Sequence, residues 1–275
     1  MMDLWTATQA ILLGLVEGFT EFLPISSTGH LIIAESLLQF NDHNGVFSMV
    51  IQVGAIAAIL WEYRQKFIYV LTHLWTAHSA AQKLFLNLVI AFMPLALVGL
   101  AFGKIIKAHL FHPVSVAVAL VVGGLVILWV ERKPDITPRI TDSDQVTPLD
   151  ALKIGLAQVL ALITGTSRSG ATIIGGVLFG LSRKVATEFS FFLAVPTIIA
   201  ASVYDIYKHR ADFVLNDIPV YGLGLLFAFI SAFFTIRSLI RYVSNHNFAI
   251  FGWYRIALGG LILLSHYLGW ITWAV

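Results

Sequence analysis

The sequence predicts an all-α integral membrane protein: an inverted repeat of two units, each a re-entrant helical hairpin plus three transmembrane helices. Three observations carry this prediction. The chain is 58% hydrophobic and 12% charged, with a mean hydropathy of +0.85, where soluble domains carry roughly a quarter charged residues. Segments 46–61, 84–103, 113–130, 189–206, 219–236 and 248–270 approach or exceed the roughly 20 apolar residues that cross a hydrocarbon core. Finally, one polar sentence occurs twice within this apolar setting.

The first copy reads Gly14-Leu15-Val16-Glu17-Gly18-Phe19-Thr20-Glu21-Phe22-Leu23-Pro24-Ile25-Ser26-Ser27-Thr28-Gly29-His30. The second opens with Gly155-Leu156-Ala157-Gln158 and continues to Thr164-Gly165-Thr166-Ser167-Arg168-Ser169-Gly170-Ala171-Thr172. The register that sets Gly14 on Gly155 also sets Ser26 on Ser167 and Gly29 on Gly170 without a gap. In that register Glu17 faces Gln158, Ser27 faces Arg168 and His30 faces Ala171. A duplicated frame with diverged polar residues implies two halves contributing different groups to one site.

The elements follow in order. The first unit, 1–130, opens with segments 4–23 and 27–38, broken at Pro24 and Gly29; its apolar start lacks a basic flank and is not expected to be a cleaved signal. Three full spans follow. Segment 131–148 is charged, contains proline and lacks helical or strand periodicity, which reads as a linker. The second unit, 149–275, repeats the plan with segments 149–163 and 170–181, broken around Gly165. Each short pair is expected to enter the membrane and leave on the same side, since non-helical backbone at that depth needs protein or a watery cavity around it. Three spans per unit is an odd number, so the units take opposite orientations, with the site at the breaks. A cytoplasmic linker places Arg64, Lys66, Lys83, Arg132, Lys133, Arg139, Arg183, Lys184, Arg237 and Arg241 inside, and only Lys104, Lys107, Lys208 and Arg210 outside. Without cysteine, disulfides and thiol chemistry are excluded.

Chemistry concentrates at the two breaks. Glu17 and Glu21 lie one helical turn apart. Such a pair binds a divalent cation through oxygen or holds a proton, unless it only snorkels to the interface. Ser26, Ser27 and Thr28 with His30 stand at a helix start, where free N–H groups and hydroxyls form an anion site, though Ser and Thr are also ordinary caps. Arg168, between Ser167 and Ser169, grips phosphate oxygens bidentately, or pairs with Glu17 or Glu21 to hold the halves together. Two helix starts and one arginine describe a phosphate or diphosphate cradle. Gln52 and Glu188 are candidates for the cavity wall or for interhelical hydrogen bonds. Gly123-Gly124 and Gly259-Gly260 read as close helix packing, and Arg255, after Trp253 and Tyr254, as an interfacial anchor. The histidines at 43, 73, 78, 109, 112, 209, 246 and 266 show no metal-ligand spacing.

Both long motifs, supported by Glu188-Phe189-Ser190 and Leu193-Ala194-Val195-Pro196, resemble the BacA-type undecaprenyl-diphosphate phosphatase family over essentially the whole chain. One departure is Thr164, where the family commonly has proline. The resemblance implies an enzyme that hydrolyses undecaprenyl diphosphate to the monophosphate and phosphate, recycling the carrier for peptidoglycan and conferring bacitracin resistance. It implies an inner-membrane homodimer with the site open to the periplasm, activity with magnesium or calcium, and no nucleic-acid partner. Carried onto this sequence, the catalytic residues are Glu17, Glu21, Ser27, His30 and Arg168. Ser27 attacks phosphorus, His30 handles its proton, and Glu21 with Glu17 positions a cation or relays a proton; water is the alternative nucleophile. Ser26, Thr28, Ser167, Ser169, Gly170 and Thr172 bind phosphate. The competing classes are a polyprenyl-phosphate transporter, which shares inverted-repeat architecture, and a membrane scaffold with structural ion pairs.

Overall fold

A computed structural model describes residues 3–76, 80–110, 112–133, 137–210, 212–213 and 215–270. His78, and the side chains of His43, Lys104 and Lys107, lie outside the described residues. Among those described, the fold is helical, with one isolated parallel bridge between Ile140 and Leu181.

Helix α1 (Leu4–Thr20) starts on Asp3, whose carboxylate accepts the Thr6 N–H at 2.6 Å. The chain turns through residues 21–26 and resumes as α2 (Ser27–Leu38). The Gln9 amide donates to the Leu38 carbonyl at 2.8 Å, so the end of α2 returns beside the start of α1. Gly29 is inside α2 rather than at the break. Helix α3 (Val46–Glu62) begins where Asp42 accepts the N–H groups of Phe47 and Ser48, both at 2.8 Å. An element without a sequence signal follows: α4 (Arg64–His73), bent 76° from α3. Helix α5 (Ala80–Leu110) carries Pro94 in its interior, and α6 (Pro113–Glu131) has proline at its first position.

The second hairpin is α7 (Pro148–Gln158), a 3-10 turn at Val159–Leu162, and α8 (Arg168–Leu178). Thr147 and Asp150 cap α7 reciprocally. Arg139 donates to Asp150 at 2.6 Å and to the Phe179 carbonyl at 3.2 Å, which brings the start of α7 to the end of α8. Burial opposes charge on Asp150, but hydrogen bonds from Arg139 and Thr147 outweigh it and hold the carboxyl below its ordinary range. Helices α9 (Arg183–Lys208), α10 (Ile218–Val243) and α11 (Ala249–Tyr267) complete the bundle.

Helix α1 packs on α10, α7 on α5, and α6 on α11. The first contact is close because Gly14 lacks a side chain: a Cβ there would meet the Gly224 carbonyl oxygen at 2.4 Å. Phe22, fully buried, meets the Phe191 ring edge-on at 5.5 Å and anchors the first break in the apolar core.

Within segment 131–148, the described residues 140–146 are packed down rather than free. Ile140 and Val146 are buried, Asn87 donates to the Val146 carbonyl at 2.8 Å, and Lys66 lies 3.7 Å from Asp144. Apolar residues at 140 and 146 without periodicity gave no signal for this strap. At the same end of the bundle Arg237 donates to Glu62 at 2.8 Å, and Arg183 pairs with Glu131. Among the described residues five helices are long and apolar enough to cross a membrane, and α3 with α4 makes a sixth if the bent pair is one span. The chain is a multi-pass membrane protein.

Candidate active site

Each break restarts a helix on a serine in an unusual backbone conformation. Ser26 has φ 72° and accepts the Gly29 N–H on its hydroxyl at 3.3 Å. Ser167 has φ 71° and accepts the Gly170 N–H at 3.0 Å. Such angles strain a residue with a Cβ. They turn the chain so that the next side chains, Ser27 and Arg168, join one cavity.

That cavity holds about 230 Å³. Its polar wall is Glu21, Ser26, Ser27, Thr28, Ser167 and Arg168, with Gln52, Thr164 and Thr197 beside them. Leu95, Leu162, Ile198 and Ala201 add apolar lining. The Ser27 hydroxyl donates to Glu21 Oε2 at 2.5 Å, and Arg168 Nη2 donates to Glu21 Oε1 at 3.1 Å. Arg168 Nη1 donates to the Ser190 carbonyl at 3.0 Å, which fixes the guanidinium plane. The Arg168 and Glu21 side chains are only 10% and 6% exposed. Removing one partner of so buried a pair costs about 3–5 kcal/mol, because the other charge is left alone.

The remaining sequence candidates stand behind this wall. The Ser169 hydroxyl donates to the Leu23 carbonyl at 2.7 Å, tying the second break to the first. Thr172, buried, shares a 2.7 Å hydrogen bond with Ser190. Neither hydroxyl lines the cavity, nor does Gly170, whose N–H caps onto Ser167. His30 makes no hydrogen bond to Ser27. Its Nδ1 lies 2.7 Å from the Ser26 carbonyl and its Nε2 2.7 Å from the Tyr254 hydroxyl. A carbonyl only accepts, so Nδ1 carries the proton and, in the neutral ring, Nε2 accepts from tyrosine. Glu188 is absent from the cavity wall.

Glu17 is buried, and its Oε1 has no hydrogen-bond partner among the described residues. Two carboxylates and nearby hydroxyls are oxygen donors that suit a hard divalent cation. The described residues contain no group of three or more His, Cys, Asp or Glu placed for a metal. Glu17 does not line the cavity, and both Glu21 oxygens already accept from Ser27 and Arg168, so a cation held by the two carboxylates would replace one of those contacts.

Arg255 departs furthest from expectation. It is buried, and all five guanidinium hydrogen bonds end on backbone carbonyls of three segments. Trp253 and Tyr254 suggested an anchor at the membrane interface, but the residue sits inside the bundle. Gly123 accommodates it: a Cβ there would meet Arg255 Nη2 at 2.2 Å. Gly124 and Gly259 do serve close packing of α6 on α11, whereas Gly260 faces open space. Thr197 and Tyr254 are polar neighbours of the site with no motif to announce them, and Thr164 belongs to the second motif but was given no role there.

The family model described as "Bacitracin resistance protein BacA" matches residues 10–261. A protein of Dechloromonas aromatica (strain RCB) named undecaprenyl-diphosphatase is 56% identical over 274 residues, 99% of each chain. One of the same name from Laribacter hongkongensis (strain HLHK9) is 56% identical over 274 residues, 99% of this chain and 100% of its own. Another, from Pseudomonas savastanoi pv. phaseolicola (strain 1448A / Race 6), is 53% identical over 275 residues, 100% of this chain and 99% of its own. The similarity runs through both breaks and every helix between them, and the chain belongs to the BacA family.

Proposed function

We infer that this chain removes the terminal phosphate of undecaprenyl diphosphate, yielding undecaprenyl phosphate and inorganic phosphate. The activity returns the lipid carrier to the synthesis of cell-wall polymers, and the family's description ties it to bacitracin resistance. The observation that carries the reading is the buried row Arg168–Glu21–Ser27, set in a cavity lined by both polar and apolar residues. An amphipathic cavity matches a diphosphate joined to a prenyl chain.

Phosphoryl transfer needs mainly positioning and charge stabilisation. Arg168 and the helix starts at Ser27 and Arg168 hold phosphate oxygens. Glu21 takes the Ser27 proton as Ser27 Oγ bonds to the terminal phosphorus and the bond to the bridging oxygen breaks, releasing undecaprenyl phosphate. Water then cleaves the phosphoserine and frees phosphate. His30 is assigned a bracing role here in place of proton handling: its ring holds the Ser26 carbonyl and thereby the first helix start. Ser169 and Thr172 brace the second break from behind. A magnesium or calcium ion, held by Glu17 and Glu21, would neutralise phosphate charge.

Two inverted units, 1–130 and 149–275, are supported by matching caps at Ser26 and Ser167 and by reciprocal packing of α1 on α10 and α7 on α5. The basic residues gathered beside Asp144, Asp150, Glu131 and Glu62 favour a cytoplasmic linker end. Thr197 and Ala201 lie in the half of α9 away from that end, so the cavity opens toward the periplasm of an inner-membrane protein. The homodimer follows from family resemblance.

Purified protein in detergent is expected to release phosphate from undecaprenyl diphosphate, a condition that abolishes vectorial transport but leaves hydrolysis intact. Acid quench is expected to trap phosphate on Ser27. No phosphate release by folded wild type, with or without added magnesium or calcium, rejects the reading.

A further inference from the structure

Arg255 donates from Nη1 to the Pro24 carbonyl at 3.2 Å and to the Thr166 carbonyl at 2.9 Å. Its Nη2 donates to the Gly165 carbonyl at 3.0 Å and to Ala119 at 3.1 Å, and its Nε to Leu120 at 3.3 Å. A guanidinium has five N–H donors, and all are used. Pro24 and Gly165 occupy the same position of the repeated frame, each two residues before the strained serine that restarts a helix. One side chain from α11 therefore grips equivalent carbonyls of both breaks and fastens them to α6. These carbonyls cannot bond within a helix, because the breaks are not helical, and an unpaired buried carbonyl costs about 1–3 kcal/mol.

We propose that Arg255 is a positioning residue: it sets the two breaks at the separation at which Ser27 and Arg168 act on one phosphate. It does not line the cavity with those two residues. Its effect is transmitted through Pro24 to Ser26 and Ser27, and through Gly165 and Thr166 to Ser167 and Arg168. Misplacing reacting groups by about 1 Å costs on the order of 10²-fold in rate.

The test uses full-length protein in detergent and three variants. Arg255→Met removes every donor; Arg255→Lys keeps the charge with three donors; Gly123→Ala retains the arginine but sets a methyl 2.2 Å from its Nη2, so the guanidinium must shift. Kinetic parameters are taken per folded molecule, and hydrogen exchange is followed at residues 21–30 and 163–172. Arg255→Met and Gly123→Ala are expected to lower kcat about 10²-fold with KM little changed. Exchange should accelerate at both breaks together. The double variant should be no slower than Arg255→Met alone, because both changes act on one contact set, and Arg255→Lys should recover part of the rate. Wild-type kcat in folded Arg255→Met overturns the proposal, as does faster exchange at one break alone. If Arg255→Met does not fold, Gly123→Ala decides by the same two readings. The kinetic arm rests on the hydrolytic reading above, whereas the exchange arm does not. A wild type that hydrolyses nothing therefore rejects that reading and leaves exchange to decide the role of Arg255.

Discussion

At the first break the chain leaves α1 at Thr20 and enters α2 at Ser27; at the second it leaves a 3-10 turn at Leu162 and enters α8 at Arg168. Both restarts use a serine near φ 70° whose hydroxyl accepts the N–H of a glycine three residues on. The backbones match, but the side chains they present do not. The first break supplies a carboxylate and a hydroxyl, the second a guanidinium, and they meet through Glu21. On the proposed reading the two helix starts face one anion, and proton handling falls to the first break and charge neutralisation to the second. If the chemistry is divided in this way, changes at corresponding positions should differ in kind as well as size.

The largest difference is expected at the facing pair. Ser27→Ala should lower kcat by about 10⁴-fold or more, because it removes the attacking atom, while lipid diphosphate still binds to Arg168. Phosphate release and binding measured on the same sample check both halves of this statement. Substantial turnover by folded Ser27→Ala would make water the nucleophile and leave Glu21 as its base. Arg168→Lys keeps a positive charge but loses the fork that reaches Glu21 and Ser190 at once. A fall of about 10²–10³-fold is expected; unchanged activity would remove the phosphate clamp and leave a structural ion pair.

A smaller effect is expected from Tyr254→Phe, which withdraws the hydroxyl from His30 Nε2. The first break loses a brace worth about 1 kcal/mol, so a rate loss of roughly fivefold should appear with little change in KM. A loss as large as that of Ser27→Ala would place His30 in the proton transfer itself. The comparison also has an orientation. Cysteine in place of Ser143, in a chain with no native cysteine, should react with an impermeant reagent only after the cytoplasmic side is exposed. Labelling from outside intact cells would reverse which end the cavity faces.

Much of this arrangement was legible in the sequence, because apolar periods and a repeated motif are local signals. Both breaks lie within a few residues of their expected places, helices α5, α9 and α10 run six or seven residues past an expected end, and Ser26, Ser27, Thr28, Ser167, Arg168 and Glu21 line one cavity. What was not legible depends on tertiary contact. The side chains of Ser169 and Thr172 look equivalent to Ser167 in the motif, but helix rotation turns them toward Leu23 and Ser190. His30 follows Ser27 closely enough to suggest a nucleophile–base pair, yet its ring reaches back to Ser26 and across to Tyr254. Arg255 offered one available signal: a charge in the interior of an apolar span is costly and marks a site by default. Its aromatic neighbours outweighed that signal.

The smallest expected effect tests whether the two breaks are equivalent as backbone. Glycine adopts positive φ without penalty, so Ser26→Gly and Ser167→Gly should each relieve part of a strain of about 1–3 kcal/mol. Each also loses a hydroxyl cap, which glycine replaces at a cost of only a few tenths of a kcal/mol. Melting in detergent should therefore shift slightly upward or not at all, and by the same amount at both positions. The serines differ in one respect: Ser167 also shares a 3.0 Å hydrogen bond with Ser169, whose hydroxyl holds the Leu23 carbonyl of the other break. If that chain matters, Ser167→Gly will melt lower than Ser26→Gly, by about 1 kcal/mol for the one bond. Equal melting points would make the caps interchangeable and confine the asymmetry of the molecule to the side chains that follow them.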